Sequence, residues 1–279
     1  MRLGAVIADT LPDKRAARLA VERTLRELPI RDCVLLSDSC FVDGARHVPI
    51  PALGGLPAYN ALILDQLAEH LECDVYLLVQ WDGFVIDGRR WQREFLAHDY
   101  IGAPWLHRGG AVGAGGFSLR SRRLVEAVRD LRRLRPTRDV DTAEDLQICV
   151  TYRAALDAAG LRIAPAALAA RFAFERVPDS TAVPQSVTTD TLGFHGVFNF
   201  PLVMSEDEIL SLFDSIVPRI SGSWAVWHLF VWHAWQRGYE ALGIRLLSAL
   251  AERSGPLWAR VAQACLRRGL PPRWLTAAA

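Results

Sequence analysis

LGAVIA (3–8) is an unbroken apolar run that stops at Asp9-Thr10. A strand half exposed to water alternates polar and apolar residues. An unbroken run fits a strand covered on both faces, as in a parallel sheet. Outward from it, Ala17, Ala20, Val21, Leu25 and Leu28 recur at helical spacing. CVLL (33–36) reads as a second strand, closed by Ser37-Asp38-Ser39. The loop PIPALGGLP (49–57) leads to a second helix with the apolar face Tyr59, Leu62, Ile63, Leu67 and Leu71, and Val75 to Val79 is a third strand. The order β-α-β-α-β predicts an α/β fold: a Rossmann-type, mostly parallel sheet flanked by helices, with right-handed crossovers. Ligands of such sheets lie beyond the carboxyl ends of the strands. The residues leaving those ends are Asp9-Thr10, Ser37-Asp38 and Gln80-Trp81-Asp82.

Gly102 to Gly116 holds six glycines and is followed by GFSLR, an Arg-rich helix from Ser121 to Leu134, and a helix from Ala143 to Ala159 that stops at Gly160. Residues 176–192 show almost no periodicity and are expected to form a mobile loop. Ser205-Glu-Asp-Glu208 is a capping box, and everything after it is helical in period. The pattern predicts a domain over 1–204 and a C-terminal all-helical appendage over 205–279. One helical hairpin in the appendage has tetratricopeptide character, too little for a repeat array.

Bulk properties exclude several classes. At ~150 residues per domain, 279 residues give roughly two domains. The 51% hydrophobic and 23% charged content is that of a globular core, not a disordered chain. With 32 basic against 31 acidic residues the chain lacks the excess of a general nucleic-acid binder. Five scattered cysteines without C-x-x-C predict reduced thiols and a cytoplasmic protein. MRLGAVIADT (1–10) is too short in apolar residues for a secretory leader, and Trp224 to Trp235 is too short to cross a bilayer, so no membrane span is expected.

Five clusters carry candidate chemistry, each beside a plainer reading. In VYLLVQWDGFVID (75–87) a carboxylate at the mouth of the sheet can hold a divalent cation against a diphosphate, or Gln80 to Gly83 is simply a polar turn. Val112-Gly-Ala-Gly-Gly-Phe-Ser118 fails the dinucleotide fingerprint in spacing and context; its glycines admit a ligand against the backbone, or only serve a loop. Asp141-Thr-Ala-Glu144-Asp145 offers a general base with a neighbour, or an ordinary helix start with Thr142 as N-cap and Asp145 in the capping-box position. His195 between Gly193-Phe and Gly196 is a metal ligand or a packed histidine, while His228 and His233 do not share a helix face. Eight arginines over 120–138 face anionic lipid or a lipid-linked diphosphate, or form a solvated face offset by Glu126 and Asp130.

Taken in order, YNALIL (59–64), VQWDGFVID (79–87), FLAHDYIGAPW (95–105), VGAGGFSLRSRRL (112–124), EDLQICVTYR (144–153), IAPAALAARFAFE (163–175) and GFHG (193–196) resemble a bacterial family of uncharacterised glycosyltransferase-like domains of the GT-A type. More distantly, the order G-G-F-S then E-D is similar to inverting galactosyltransferases. The resemblance covers roughly residues 1–200. It implies a nucleotide-sugar-dependent, inverting glycosyltransferase of bacterial glycan or surface polysaccharide synthesis. By position it implies Asp145 as catalytic base with Glu144 beside it, and Asp82 and His195 as ligands of Mn2+ or Mg2+. It further implies donor contacts at Asn60, Gln80, Asp82, Gly115 and Gly116; Asp9, Thr10 and Asp38 join them by their place at the strand ends, and Tyr100, Trp105 and Phe117 stack on sugar or acceptor or else are buried as core aromatics. Gln80 stands where the D-x-D motif has its first acid, and Ala114 replaces the family's usual Asn. The expected partners are a UDP-sugar and a hydroxyl acceptor such as a glycan or lipid-linked glycan, at the cytoplasmic face of the inner membrane or free of it. Loop 176–192 would close over the donor. The rival expectation is a non-catalytic nucleotide-sugar-binding or scaffold module whose helices bind a partner.

Overall fold

The computed structural model describes residues 1–105, 108–135, 142–175, 190–220 and 222–278. They pack as two compact units, Met1–His195 and Gly196–Ala279. The loop expected over 176–192 lies outside the described residues up to 189, as do Arg138 and Asp141.

The first unit is α/β. Strand β1 (Leu3–Ala8) is followed by helix α1 (Arg15–Glu27), β2 (Asp32–Ser37), β3 (Arg46–Pro49), helix α2 (Leu56–Ala61) and β4 (Val75–Leu78). Then come β5 (Tyr100–Gly102), the short pair β6 (Pro104–Trp105) and β7 (Ala111–Val112), β8 (Ser118–Ser121), helix α3 (Arg122–Leu134), helix α4 (Glu144–Leu146), β9 (Ala173–Phe174) and β10 (Gly193–Phe194). The main sheet runs β3-β2-β1-β4-β8-β5. Its first four strands are mutually parallel, and β8 is antiparallel to both β4 and β5. The mostly parallel, helix-flanked sheet expected from the apolar runs is therefore present. Its core joins Val6, Val34, Leu36 and Leu78 of the strands to Leu62, Ile63 and Leu67 of the α2 segment.

Three strands of the main sheet, β3, β5 and β8, escaped the sequence reading, as did the short strands β6, β7, β9 and β10. β3 (RHVP) is half exposed and carries neither an apolar run nor alternation. β8 (SLRS) is wholly buried yet contains two serines and Arg120, so only its place between β4 and β5 makes it a strand. Its register pairs Ser118 with Leu78, which carries the preceding glycine loop to the carboxyl end of β4.

The single helix expected over 143–159 is broken. α4 passes into a wider turn at Gln147–Thr151, where the Tyr152 N–H donates to Gln147 O at 2.8 Å, before Arg153–Ala158 resumes. The α2 segment widens in the same way at Leu62–Gln66. Such wide turns occur frequently at functional sites. Gly160 ends the segment at φ +73°, as expected.

The second unit is helical, from Phe200–Val203 to Pro272–Ala278. Trp227, Trp232, His228 and His233 are buried. Burial lowers the His233 imidazole to about 4, so it packs neutral, with Nδ1 2.7 Å from Phe198 O. The capping box is formed: Ser205 Oγ accepts from the Glu208 N–H, and Glu208 Oε2 accepts from the Ser205 N–H. Ser205→Ala is expected to cost the protein about 1 kcal/mol in urea unfolding, with an unchanged m-value.

Candidate functional site

At the end of β4, reciprocal N–H to O bonds of 3.0 Å between Gln80 and Gly83 close a tight turn with Trp81 and Asp82 between them. The polar-turn reading is thus correct, and the turn is also what presents Asp82. Asp82 Oδ1 lies 3.7 Å from His195 Nε2, and His195 Nδ1 lies 3.3 Å from Glu175 Oε1. His195 reaches this point because β10 pairs with β9, with the His195 N–H donating to Phe174 O. Burial alone would lower its pKa. The facing carboxylates Asp82, Glu175 and Asp145 outweigh burial and raise it to about 9.

The glycine loop runs between these groups and α4. A Cβ on Gly116 would fall 2.1 Å from His195 Nε2, and one on Gly115 would fall 2.1 Å from Glu144 Oε1. Only glycine allows so close an approach. The Gly115 N–H donates to Asp145 Oδ2 at 2.9 Å. Its carbonyl accepts from Ser118 Oγ at 2.9 Å and from Arg120 Nη2 at 3.4 Å. Ala114, fully enclosed, is held at φ +48°, a left-handed conformation that costs an L-residue with a Cβ roughly 1–2 kcal/mol.

Glu144 and Asp145 occupy different surroundings. Glu144 is buried and ion-paired through Oε1 to Arg120 Nη2 at 2.9 Å; Oε2 has no hydrogen-bond partner among the described residues. Burial raises the Glu144 carboxyl above its usual range, and Arg120 opposes the rise. Asp145 is half-buried, and its Oδ1 accepts from the Leu146 N–H. The expected capping box at this helix is not formed. Ala143, without a side-chain cap bond, holds the N-cap position, and Asp145 reaches across to Gly115.

The remaining expected donor residues form two groups. Asp9 and Asp38 gather around Lys14, the chain's sole lysine, with Thr10 next to Asp9 in the chain. Lys14 Nζ lies 2.7 Å from Asp38 Oδ1 and 3.4 Å from Asp9 Oδ1, and Thr10 Oγ1 accepts from the Leu53 N–H. The hydrogen bond from Lys14 lowers the Asp38 carboxyl pKa. Asn60 donates to Thr142 O at 2.9 Å and Gln80 Nε2 donates to the Tyr59 hydroxyl at 2.6 Å, so both lie beside the Glu144 network.

Of the two readings of Tyr100, Trp105 and Phe117, stacking on sugar or acceptor and burial in the core, the structure shows the second. Tyr100 donates to Gly113 O, the Trp105 ring lies against Gly113, and Phe117 stacks on Phe172 at 5.1 Å. Their rings floor the glycine loop. The Arg-rich segment is largely compensated: Arg122 pairs with Glu126, Arg123 with Asp99, Arg129 with Asp130 and Arg132 with Asp65. That supports the solvated-face reading over the anionic-lipid one. Sequence reasoning missed Lys14, Arg120 and Glu175. A signal existed only for Lys14, by its uniqueness.

The donor set bears on the expected cation. Asp82 and His195 offer one oxygen and one nitrogen, and among the described residues no group of three His, Cys, Asp or Glu is placed to hold a metal ion by itself. This fits Mn2+ or Mg2+ taking its other ligands from diphosphate and water, not a closed protein cage. Among the described residues no helix is long and apolar enough to cross a membrane.

A family model described as a protein of unknown function (DUF5672) matches residues 45–195. No curated protein matches the sequence. Among solved structures, the chain is similar to a glycosyltransferase involved in glycosylation of the major capsid of PBCV-1, at 13% identity over 70% of this chain and 92% of that one, TM-score 0.46. It is also similar to the galactosyltransferase LgtC in complex with donor and acceptor sugar analogs, at 15% identity over 69% and 86%, TM-score 0.39. A third likeness is glucosyl-3-phosphoglycerate synthase from Mycobacterium tuberculosis with Mn2+ and UDP, at 11% identity over 44% and 57%, TM-score 0.31. At these scores any functional reading rests on this chain's own residues.

Two outcomes follow from the geometry. The folded His195 pKa of about 9 lies above the ordinary histidine value, so its protonation stabilises the metal-free fold fully below pH ~6.5 and progressively less up to pH 9. Urea unfolding at pH 6 and pH 9 should show a loss on the order of 1–3 kcal/mol that disappears in His195→Gln. Ala114→Gly should raise stability by roughly 1 kcal/mol, because it relieves the left-handed strain; an unchanged or lowered melting temperature would contradict the strain.

Proposed function

The chain belongs to the DUF5672 family, and from that premise and the geometry of its site we propose that it is a nucleotide-sugar-dependent glycosyltransferase of GT-A type. The observation that carries this reading is the convergence of Asp82, His195, the Gly115-Gly116 backbone and Asp145 at the carboxyl end of the sheet. That is the place where an open α/β sheet binds its ligand. We assign the transferase to residues 1–204 and a helical appendage to 205–279. The donor is a UDP-sugar, the acceptor a hydroxyl on a glycan or lipid-linked glycan, and the setting the bacterial cytoplasm or the inner membrane face.

In this mechanism Asp82 and His195 would hold the cation, which would supply positive charge for the departing nucleoside diphosphate. The backbone at Gly115-Gly116 lets the donor sugar lie directly against the chain. The group at Lys14, Asp9 and Asp38 receives the nucleotide. Asp145 takes the proton of the acceptor hydroxyl as its oxygen attacks the anomeric carbon in line, with inversion. Both Asp145 oxygens already accept one backbone N–H, which holds the carboxylate in place and leaves lone pairs for the incoming proton.

One observation favours the alternative, a non-catalytic nucleotide-sugar-binding or scaffold module. Position 80 carries an amide engaged by Tyr59, not an acid. The test is a screen of UDP-, GDP-, TDP- and CDP-sugars with and without Mn2+. A true donor at ~100 times its Kd should add about 2.7 kcal/mol of stability, and no shift with any sugar would sink the transferase reading and favour the scaffold. Asp145→Asn can still accept from Gly115 but cannot take a proton. It is expected to keep donor affinity and melting temperature while reducing transfer at least ~100-fold. Binding without transfer in the wild type would select the non-catalytic nucleotide-sugar-binding module.

A further inference from the structure

We propose that Arg120 is a positioning residue whose buried guanidinium clamps the Gly113–Gly116 loop to the start of α4, with Glu144 as the strut of that clamp rather than a proton acceptor. The side chain of Arg120 is 3% exposed and spans three anchors. Nη2 donates to Glu144 Oε1 at 2.9 Å and to Gly115 O at 3.4 Å, and Nε donates to Ser118 Oγ at 3.0 Å. Ser118 Oγ in turn donates to the same Gly115 carbonyl, and the guanidinium lies 5.3 Å from the Tyr100 ring centroid, whose hydroxyl holds Gly113 O. The carbonyls on either side of Ala114 are therefore tied from β5 and β8, and the Gly115 N–H is tied from α4 by Asp145.

A strained backbone persists only where its surroundings over-determine it, and these ties do so for Ala114 at φ +48°. Glu144 is needed because an isolated guanidinium cannot be left in the interior. Its own burial and its bond to Arg120 leave Asp145, which is partly exposed, as the acid able to meet a substrate. Lysine could balance Glu144 as a point charge but lacks the planar fork that reaches Gly115 and Ser118 together. The proposal takes the identity of this loop as a donor loop from the glycosyltransferase reading, but the clamp itself is measured on ligand-free protein, so either can fail without the other.

The test is hydrogen exchange by mass spectrometry over residues 111–118 of the ligand-free full chain, alongside melting temperatures. Arg120→Lys and Glu144→Gln should each speed exchange in this loop by ~10-fold or more, while exchange in β1 and β2 stays as in the wild type. In Arg120→Met/Glu144→Met the buried charges are gone, so the melting temperature should return toward wild type while the loop still exchanges fast. Loop exchange within ~2-fold of wild type in Arg120→Lys overturns the proposal. So does a double variant that regains loop protection together with its melting temperature, because the pair would then be structural only. Arg120→Lys decides alone if the double variant does not fold.

Discussion

A guanidinium enclosed in protein must be compensated, and the compensation of Arg120 organises the site. Desolvating such a charge costs several kcal/mol unless an opposite charge and hydrogen-bond acceptors surround it. β8 brings Arg120 into the sheet between β4 and β5, and Glu144, Gly115 O and Ser118 Oγ supply what it needs. Meeting that need pulls α4 against the glycine loop. The contact is so close that position 115 has no room for a side chain. With Glu144 committed to Arg120, the half-buried Asp145 is left at the edge of the network beside the Gly115 amide.

The same region is crowded with acids. Asp82, Glu175 and Asp145 all act on His195, and Glu144 lies close behind. Like charges brought together raise one another's proton affinity, and each added carboxylate increases the need for a cation. This gives a physical reason for glutamine at position 80. The residue faces the Tyr59 hydroxyl, itself beside Glu144 and Asp145. A neutral amide donates to that hydroxyl, whereas a carboxylate there would add a further negative charge. Positive charge enters the arrangement through Arg120, through protonated His195, or through an ion carried with a diphosphate. Lys14 performs the same balancing at the neighbouring strand ends, between Asp9 and Asp38.

Much of the framework was legible along the chain. LGAVIA, CVLL and VYLL are apolar because both faces of their strands are covered, and that property is written residue by residue. The Ser205 capping box, the Gly160 stop and the helical period after 205 are likewise local, since each depends on neighbours three or four positions away. The motif residues Asp82, Gly115, Gly116, Asp145 and His195, far apart along the chain, meet in the fold.

How each residue is held at that meeting point was settled by partners distant in sequence. Glu144 and Asp145 are adjacent, yet one is buried against Arg120 and the other is half-buried against a loop amide, because successive helix positions point about 100° apart into different surroundings. Tyr100, Trp105 and Phe117 carry the same aromatic chemistry whether they face sugar or core, and only the packing of β5, β6 and β8 turns them inward. β8 itself has no strand signal of its own; its flanking strands supply the hydrogen bonds that make it one. The sequence by itself determined which segments are strands buried on both faces and which residues lie at their carboxyl ends, because apolar runs and turn residues act locally. The tertiary structure decided which acid is buried in an ion pair and which stays half-buried beside the glycine loop, because burial and charge pairing depend on groups that the chain brings together only when folded.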